Sequence, residues 1–368
     1  MKVKVDRNEL LKKLSDIQNI VEKRNTMPVL NNFLLSAESA GSSITATDLE
    51  TALKEPIELS VLEEGKMCIP AKKLFEIARE MDGEIVLESA DNQWIKIKCG
   101  KSHFRLACIS PDEFPVWPSI SSDEARSVEL ESAMLLDAIE KTLYAAGESD
   151  TRYVLNGLLF HLKTDQILNV VGTDGHRLAL SQKKIAETLD EEIKIILSRK
   201  SVSELRRFLD EEQKPVKLTI GKNHVLFSVG SIQFLTRLIE GTYPNYEQVI
   251  PSDNNKDLAV GRDAFSKALK IVSILSKERS SAVKVDFNPD VMVISTSNPD
   301  LGDATDEIAV TYSGDAMTIA FNARYLLDVL GVMESKTITL KLNEALSPVL
   351  LMEEDRTDYK CVVMPMRL

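Results

Sequence analysis

No apolar run in this chain approaches the roughly 18–20 residues that a helical membrane span needs, so that class is excluded. The opening MKVKVDRNELL has neither an apolar stretch nor a small-residue cleavage site, and no signal peptide is expected. The four cysteines, Cys68, Cys99, Cys108 and Cys361, form no CxxC pair, and the four histidines include no HxxxH. A zinc site therefore has nothing to build on, and reduced thiols of a cytoplasmic protein are expected. Also missing are a phosphate-cradling GxxxxGK(S/T), a nucleophile-elbow GxSxG and any metal-spaced cluster, so the expectation is no cofactor and no enzyme. Glycine and proline are few and scattered, 15 and 13 in 368 residues, which rules out a low-complexity chain.

What is present is 43% hydrophobic and 28% charged residues, the composition of a folded soluble protein too long for one ordinary core. The net charge of −12 argues at first against nucleic acid, because phosphate contacts need Lys and Arg. Where the charges lie decides the matter.

Three segments read as a short strand running into an amphipathic helix: VKVDRNELLKKLSDIQNIV from Val3, SVELESAMLLDAIEKTLYAA from Ser127 and LAVGRDAFSKALKIVSILS from Leu258. In the first, Leu10, Leu11, Leu14, Ile17, Ile20 and Val21 recur at helical spacing and leave Lys12, Lys13 and Lys23 on other faces. A second helical pattern follows in each copy, PAKKLFEIAREM from Pro70, SRKSVSELRRFL from Ser198 and NARYLLDVLGVM from Asn322. Runs of alternating character such as QWIKIKCG, PVKLTIG, HVLFSVG and TITLKLN lie between and after the helices. Each repeat is then an α+β unit with two helices packed on antiparallel sheets. Polar seams near 119–126 and 251–256 place three domains at 1–122, 123–252 and 253–368.

Taken as 6–24, 71–81, 131–146, 198–209, 262–279 and 322–336, the helices carry +1, +1, −2, +3, +3 and 0. The helices thus hold +6 and the remainder −18. An acidic protein built this way can show its helices to one polyanion while the rest repels it, although Lys-rich surface helices also arise from helix propensity alone.

At this point the residues resemble a known family. The stretches RNTMPVLNNFLL, TATDLE, FRLACISPDEFP, DTRYVLNGLLF, VVGTDGHRLAL, EGTYPNYEQVIP, VTYSG and VVMPMRL, in this order over the full length, are similar to the bacterial DNA polymerase III beta subunits, the DNA sliding clamps. The resemblance implies a non-catalytic homodimer whose three repeated clamp domains per protomer close a six-domain ring. Helices line the hole, and sequence-independent contacts to double-stranded DNA are loose enough to slide. It implies as partners the replicative polymerase catalytic subunit, the clamp loader, and other polymerases and repair proteins, all through short linear peptides; no membrane is expected.

The same resemblance nominates residues. For DNA these are Arg24, Lys72, Tyr153, Arg199, Lys200, Arg207 and Arg279. The peptide pocket would use Leu155, then Thr173, Gly175, His176, Arg177 and Leu178 of the TDGHR stretch, then Pro244 and Val249. The tail Val362, Val363, Met364, Pro365, Met366, Arg367 and Leu368 would complete it, its methionines repacking for different partners. At the ring's joint Phe104 and Leu106 would meet Ile274 and Leu275 of the partner protomer, with Lys96, Lys101 and His103 facing Asp300, Asp303 and Asp306. One departure stands out: Glu247 and Gln248 occupy positions that are basic in some relatives.

Two other readings compete. Asp174, His176 and Arg177 can be read as an acid/base pair with an anion clamp, as in a phosphoesterase. A three-repeat scaffold that never encircles DNA is the other; it would bind linear and nicked circular DNA alike, whereas a loaded clamp leaves only free ends.

Overall fold

The computed structural model describes residues 1–21, 27–91, 93–121, 125–210, 214–276 and 281–367. Three successive segments share one order of elements. The first runs β1 (Lys2–Asp6), α1 (Arg7–Ile17), β2 (Asn32–Ala37), β3 (Ser43–Thr47), β4 (Thr51–Pro56), β5 (Ser60–Glu63), β6 (Gly65–Pro70), α2 (Ala71–Arg79), β7 (Glu84–Asp91), β8 (Trp94–Cys99) and β9 (Ser102–Ala107). The second runs β10 (Arg126–Glu131), α3 (Ser132–Glu140), β11 (Gly157–Leu162), β12 (Ile167–Thr173), β13 (Arg177–Lys184), β14 (Ile193–Ser198), α4 (Arg199–Leu205), β15 (Pro215–Ile220), β16 (His224–Val229) and β17 (Ile232–Arg237). The third runs β18 (Lys256–Gly261), α5 (Arg262–Ser273), β19 (Ala282–Phe287), β20 (Val291–Asn298), β21 (Gly302–Tyr312), β22 (Met317–Asn322), α6 (Ala323–Val332), β23 (Thr337–Leu342), β24 (Val349–Glu353) and β25 (Arg356–Val363). In the first repeat, β4 and β5 divide between them the pairings that β21 makes as one strand with β20 and β18. Among the described residues no helix is long and apolar enough to cross a membrane.

The chain folds as two compact units. One gathers Met1–Ala133 and Ser203–Leu238 around a sheet of order β5-β1-β7-β8-β9 and another of order β10-β15-β16-β17-β4-β3-β2-β6. Helices α1 and α2 pack together, burying Leu10, Leu14 and Ile17 from one and Leu74 and Ala78 from the other. Asp6 caps α1 by accepting the N–H groups of Asn8 and Glu9. Arg7 then reaches the far end of α2, where Nε donates to the Ala78 carbonyl at 3.2 Å and Nη2 to that of Arg79 at 2.7 Å. It thereby satisfies acceptors that a helix terminus leaves open. Glu55 on β4 is buried with Lys13 Nζ at 2.8 Å, but its Oε1 has no hydrogen-bond partner. Burial outweighs the lysine and pushes its carboxyl up to about 7.

The other unit gathers Met134–Val202 and Ile239–Leu368. Its sheet has twelve strands in the order β14-β11-β12-β13-β25-β24-β23-β18-β21-β20-β19-β22. Phe265, Leu269 and Val272 of α5 and Leu326, Val329 and Leu330 of α6 lie in one core with Phe287, Ile294 and Tyr359. Arg262, first residue of α5, repeats the role of Arg7: its Nη1 donates to the Met333 carbonyl at 2.6 Å. An ion network joins α3 to the sheet. Asp137 lies 2.5 Å from Lys183 and 3.4 Å from Arg356, which both also meet Asp358. Burial alone would raise the Asp358 carboxyl; hydrogen bonds from Arg356 and Lys183 win and hold it near about 2.

The central repeat is thus shared. β17 pairs with β4, setting Phe234 opposite Leu53, and β13 pairs with β25, setting Ala179 opposite Cys361. The helices are shorter than their apolar spacing suggested, for stated reasons. Past Ile17 the chain turns, yet Ile20 stays buried, so the inward periodicity outlasts the helix. After α3, Thr142 Oγ1 bonds back to the Ala138 carbonyl, and after α5 Ser276 Oγ bonds back to Ser273, hydroxyl contacts that compete with helix continuation. Over these six helices the charges are +1, +2, −2, +1, +2 and 0. The net of +4 keeps the basic sign with a smaller value than the longer spans carried.

Candidate partner-binding groove and joint

The TDGHR stretch is a turn between β12 and β13 that its own side chains hold shut. Thr173 Oγ1 donates to the Arg177 carbonyl at 2.6 Å and accepts the Gly175 N–H at 3.1 Å. Asp174 Oδ1 accepts the N–H groups of His176 and Arg177. Gly175 sits at φ +85°, where side chains are strained, and a Cβ there would come within 2.7 Å of the Arg152 guanidinium, whose tip would have to move. Arg177 is committed: Nε to Asp174 at 3.1 Å, Nη1 to Asp328 at 2.5 Å, Nη2 to the Tyr144 carbonyl at 2.7 Å, with its guanidinium 4.5 Å from the Tyr325 ring centre. These contacts leave Asp174 and Arg177 no geometry for an acid/base pair with an anion clamp. His176 is exposed, stacks on Tyr325, and offers its carbonyl to the Met364 N–H at 2.9 Å.

The nominated pocket residues separate by depth. Leu155, Leu178 and Val362 are buried with Tyr243 and Tyr246 in one apolar cluster. Thr173 and Val363 are buried as well, Val363 opposite Arg177 in the β13–β25 pairing. Exposed above them are Gly175, His176, Pro244, Val249, Met364 and Arg367, while Arg177, Pro365 and Met366 are half-buried. Leu368 lies outside the described residues. Met366 is tied down by a donation of its N–H to the Ala320 carbonyl at 2.8 Å, as Met364 is to His176, so the tail offers side chains from a fixed backbone. The arrangement is an apolar floor under a rim of adaptable side chains, suited to a short apolar peptide.

The residues nominated for DNA lie on both units. Lys72 is exposed on α2, and Arg207 donates to Glu204 at 2.9 Å and to the Ser15 carbonyl at 3.2 Å. Tyr153 is 68% exposed. Arg199 bonds the Ala146 carbonyl and lies 3.3 Å from Glu148, and Lys200 is exposed. Arg24 and Arg279 lie outside the described residues.

At the nominated joint, β9 is the last strand of its sheet. Phe104 pairs across from Ile97, a core residue, and so faces the buried side, yet is 43% exposed; Leu106 is half-buried. Lys96 pairs with Arg105 and Lys98 with His103 on the opposite face; Lys101 is exposed in the turn before β9. Ile274 is 74% exposed just past α5, and Leu275 is half-buried. Asp300 and Asp303 are exposed, whereas Asp306 pairs across from buried Ile294 and is half-buried.

Sequence reading missed several residues that shape the groove: Asp174, Arg152, Asp328, Tyr325, Tyr243 and Tyr246. One signal was available, since TDLET at 47–51 repeats the Thr–Asp pair of TDGHR at the same place in the preceding repeat. Among the described residues no three His, Cys, Asp or Glu side chains group closely enough to hold a metal ion.

Three family models match in order: the N-terminal domain of the DNA polymerase III beta subunit at residues 1–118, the central domain at 129–245 and the C-terminal domain at 247–367. The beta sliding clamp of Caulobacter vibrioides is 36% identical over 375 residues and that of Pseudomonas putida 34% over 366; each match covers 99% or more of both chains. The crystal structure of a DnaN sliding clamp from Bartonella birtlesii, bound to griselimycin, superposes with a TM-score of 0.95 at 35% identity, covering 100% of both chains.

Proposed function

The chain belongs to the family of DNA polymerase III beta subunits, the bacterial sliding clamps, and from that premise we propose which of its residues carry the work. A sliding clamp is a non-catalytic processivity factor: three α+β clamp domains per protomer and a dimeric ring on DNA that tethers the polymerase. We divide the domains at 1–122, 123–252 and 253–368. Arg24, Lys72, Tyr153, Arg199, Lys200, Arg207 and Arg279 would meet phosphates. The groove above Leu155, Leu178 and Val362 would take short apolar peptides from the polymerase, the clamp loader and repair proteins in the cytoplasm.

The observation that carries the joint is the register inside the chain. β17 pairs with β4 and β25 with β13, each time the last strand of one repeat against the strand after a hairpin of the one before. β9 and residues 302–309 of β21 hold those same two positions, and among the described residues neither has a strand on its outer side. If the register that sets Phe234 opposite Leu53 and Cys361 opposite Ala179 carries over, Phe104 would lie opposite Ala304 of the partner protomer. Arg105 then faces Asp303 and Lys101 faces Glu307, with Lys96 and His103 beside them. Asp306 is turned toward the helix side. Exposed ion pairs contribute only about 0–1 kcal/mol each, so the apolar contact of Phe104 and Leu106 with Ile274 and Leu275 dominates.

The double substitution Ile274→Ala with Leu275→Asp buries an unpaired carboxylate twice per ring. Sedimentation should then report folded monomers that still bind the peptide and no longer stay on circular DNA. A variant that remains dimeric places the joint elsewhere.

A further inference from the structure

The groove wall that carries Pro244 and Val249 is built on one short helical turn, Tyr246–Gln248, whose tyrosine packs in the apolar cluster and carries its hydroxyl into a buried polar network. Tyr246 Oη is buried, accepts Asn169 Nδ2–H at 2.8 Å and lies 2.8 Å from His161 Nδ1. On its other side the imidazole Nε2 lies 3.0 Å from Glu192 Oε2. Donors and acceptors assign the protons. The Glu192 carboxylate can only accept, so Nε2 carries the ring proton, and Nδ1 is left to accept from the Tyr246 hydroxyl. That hydroxyl has one other acceptor in reach, Glu247 Oε1 at 3.5 Å, on the groove rim.

We propose that His161, backed by Glu192, is a positioning residue for the peptide groove: through Tyr246 it sets where Pro244 and Val249 stand. The inference rests on the groove reading above and goes beyond it, since His161, Glu192 and Asn169 are not among the groove residues named there. The groups around the network hold its ends: Lys163 lies 3.4 Å from Glu247, Lys194 lies 3.8 Å from Glu192, and Gln182 donates to Asn169 Oδ1.

The test uses the full-length protein and fluorescein-labelled nonapeptides tiled over the replicative polymerase subunit, the tightest being taken as probe. Fluorescence anisotropy gives Kd. At pH 8, Tyr246→Phe and His161→Leu should each weaken binding about fivefold, and the double variant no further, because they remove one shared contact. His161→Gln, whose carbonyl can still take the tyrosine proton, should bind near wild type at pH 8. Tyr246→Phe keeps the ring, and its unchanged melting profile would show that a folded groove is being measured.

A variant lacking residues 364–368 separates the two ideas. If it loses the probe while Tyr246→Phe and His161→Leu bind like wild type, the groove stands and the positioning role is overturned. Additive losses, or a His161→Gln variant as weak as His161→Leu, overturn it too. If the truncated variant binds like wild type, the groove is misplaced and the positioning role falls with it.

Discussion

Thr47 and Thr173 hold their turns in the same way. Each Oγ1 donates to the carbonyl four residues on, at Thr51 and Arg177, and accepts the N–H two residues on, at Leu49 and Gly175. Asp48 and Asp174 each accept two further N–H groups. A strand end then docks on each turn, Arg237 N–H to the Glu50 carbonyl at 2.8 Å and Met364 N–H to that of His176 at 2.9 Å. The fittings differ. The turn at 173–177 has glycine at its left-handed position and a half-buried arginine gripping Asp328; the turn at 47–51 has Leu49 at φ 76°, 51% exposed, and Thr51. Four residues past each turn's start of strand, β4 carries Glu55 where β13 carries Ser181. A Thr–Asp pair is therefore enough to build the turn, and the residues added around it are what set the two copies apart.

The largest effect expected from erasing this difference comes from Arg177→Thr, which installs the residue of the first turn. It strands Asp328 and the Tyr144 carbonyl and should destabilise by about 3 kcal/mol, read as a lower denaturant midpoint with unchanged slope. Thr51→Ala at the matching position should lose far less; equal losses would make the arginine incidental.

Next is Glu55→Gln. The Glu55 carboxyl rises from 4.5 to about 7 on folding, so the folded state holds its proton longer than the unfolded chain does. The stability this contributes is complete below about pH 4.5 and is lost as pH climbs through about 7. Removing the charge should gain about 2 kcal/mol at pH 8, allowing for partial screening, and flatten the profile between those limits. The second unit should show the opposite trend at the acid end. Asp358, held near about 2, contributes stability that is lost only as pH falls below about 4. A single transition with no neutral-range slope would count against the buried Glu55.

The smallest effect is Leu49→Gly. It relieves about 1–2 kcal/mol of left-handed strain but frees the unfolded chain by a similar amount, so the midpoint should move by less than about 1 kcal/mol. The reverse change, Gly175→Leu, drives a side chain into Arg152 and should cost more. Equal and small effects from both would erase the distinction between the turns.

The threefold repeat and all six helices were legible, because Leu10, Leu14 and Ile17 or Phe265, Leu269 and Val272 recur at the spacing that one buried helix face imposes. Their ends were not, since residues such as Ile20 stay inward after the backbone has turned. The sharing of the central repeat was also hidden: β17 against β4 joins residues about 180 apart, and pairing at that distance leaves no local pattern. In the groove, TDGHR and the tail stood out as contiguous stretches through resemblance. His161, Asn169, Glu192 and Tyr246 meet only because strands β11 and β12 carry two of them under the turn that holds the tyrosine, and no spacing announces that.

The uncovered flanks of β9 and β21 have a consequence for a protomer alone in dilute solution. Each flank offers a row of unsatisfied N–H and C=O groups, an invitation to any passing strand. The charges select among visitors. One flank carries Lys101 and Arg105 and the other Asp303 and Glu307, so like flanks repel while unlike flanks attract. In the joint proposed above, unlike ends would add without limit unless the angle at which they meet closed the chain after two copies rather than letting it grow as a fibre. A substitution that changed this angle while leaving every contact intact would be expected to yield filaments, a failure of counting rather than of folding.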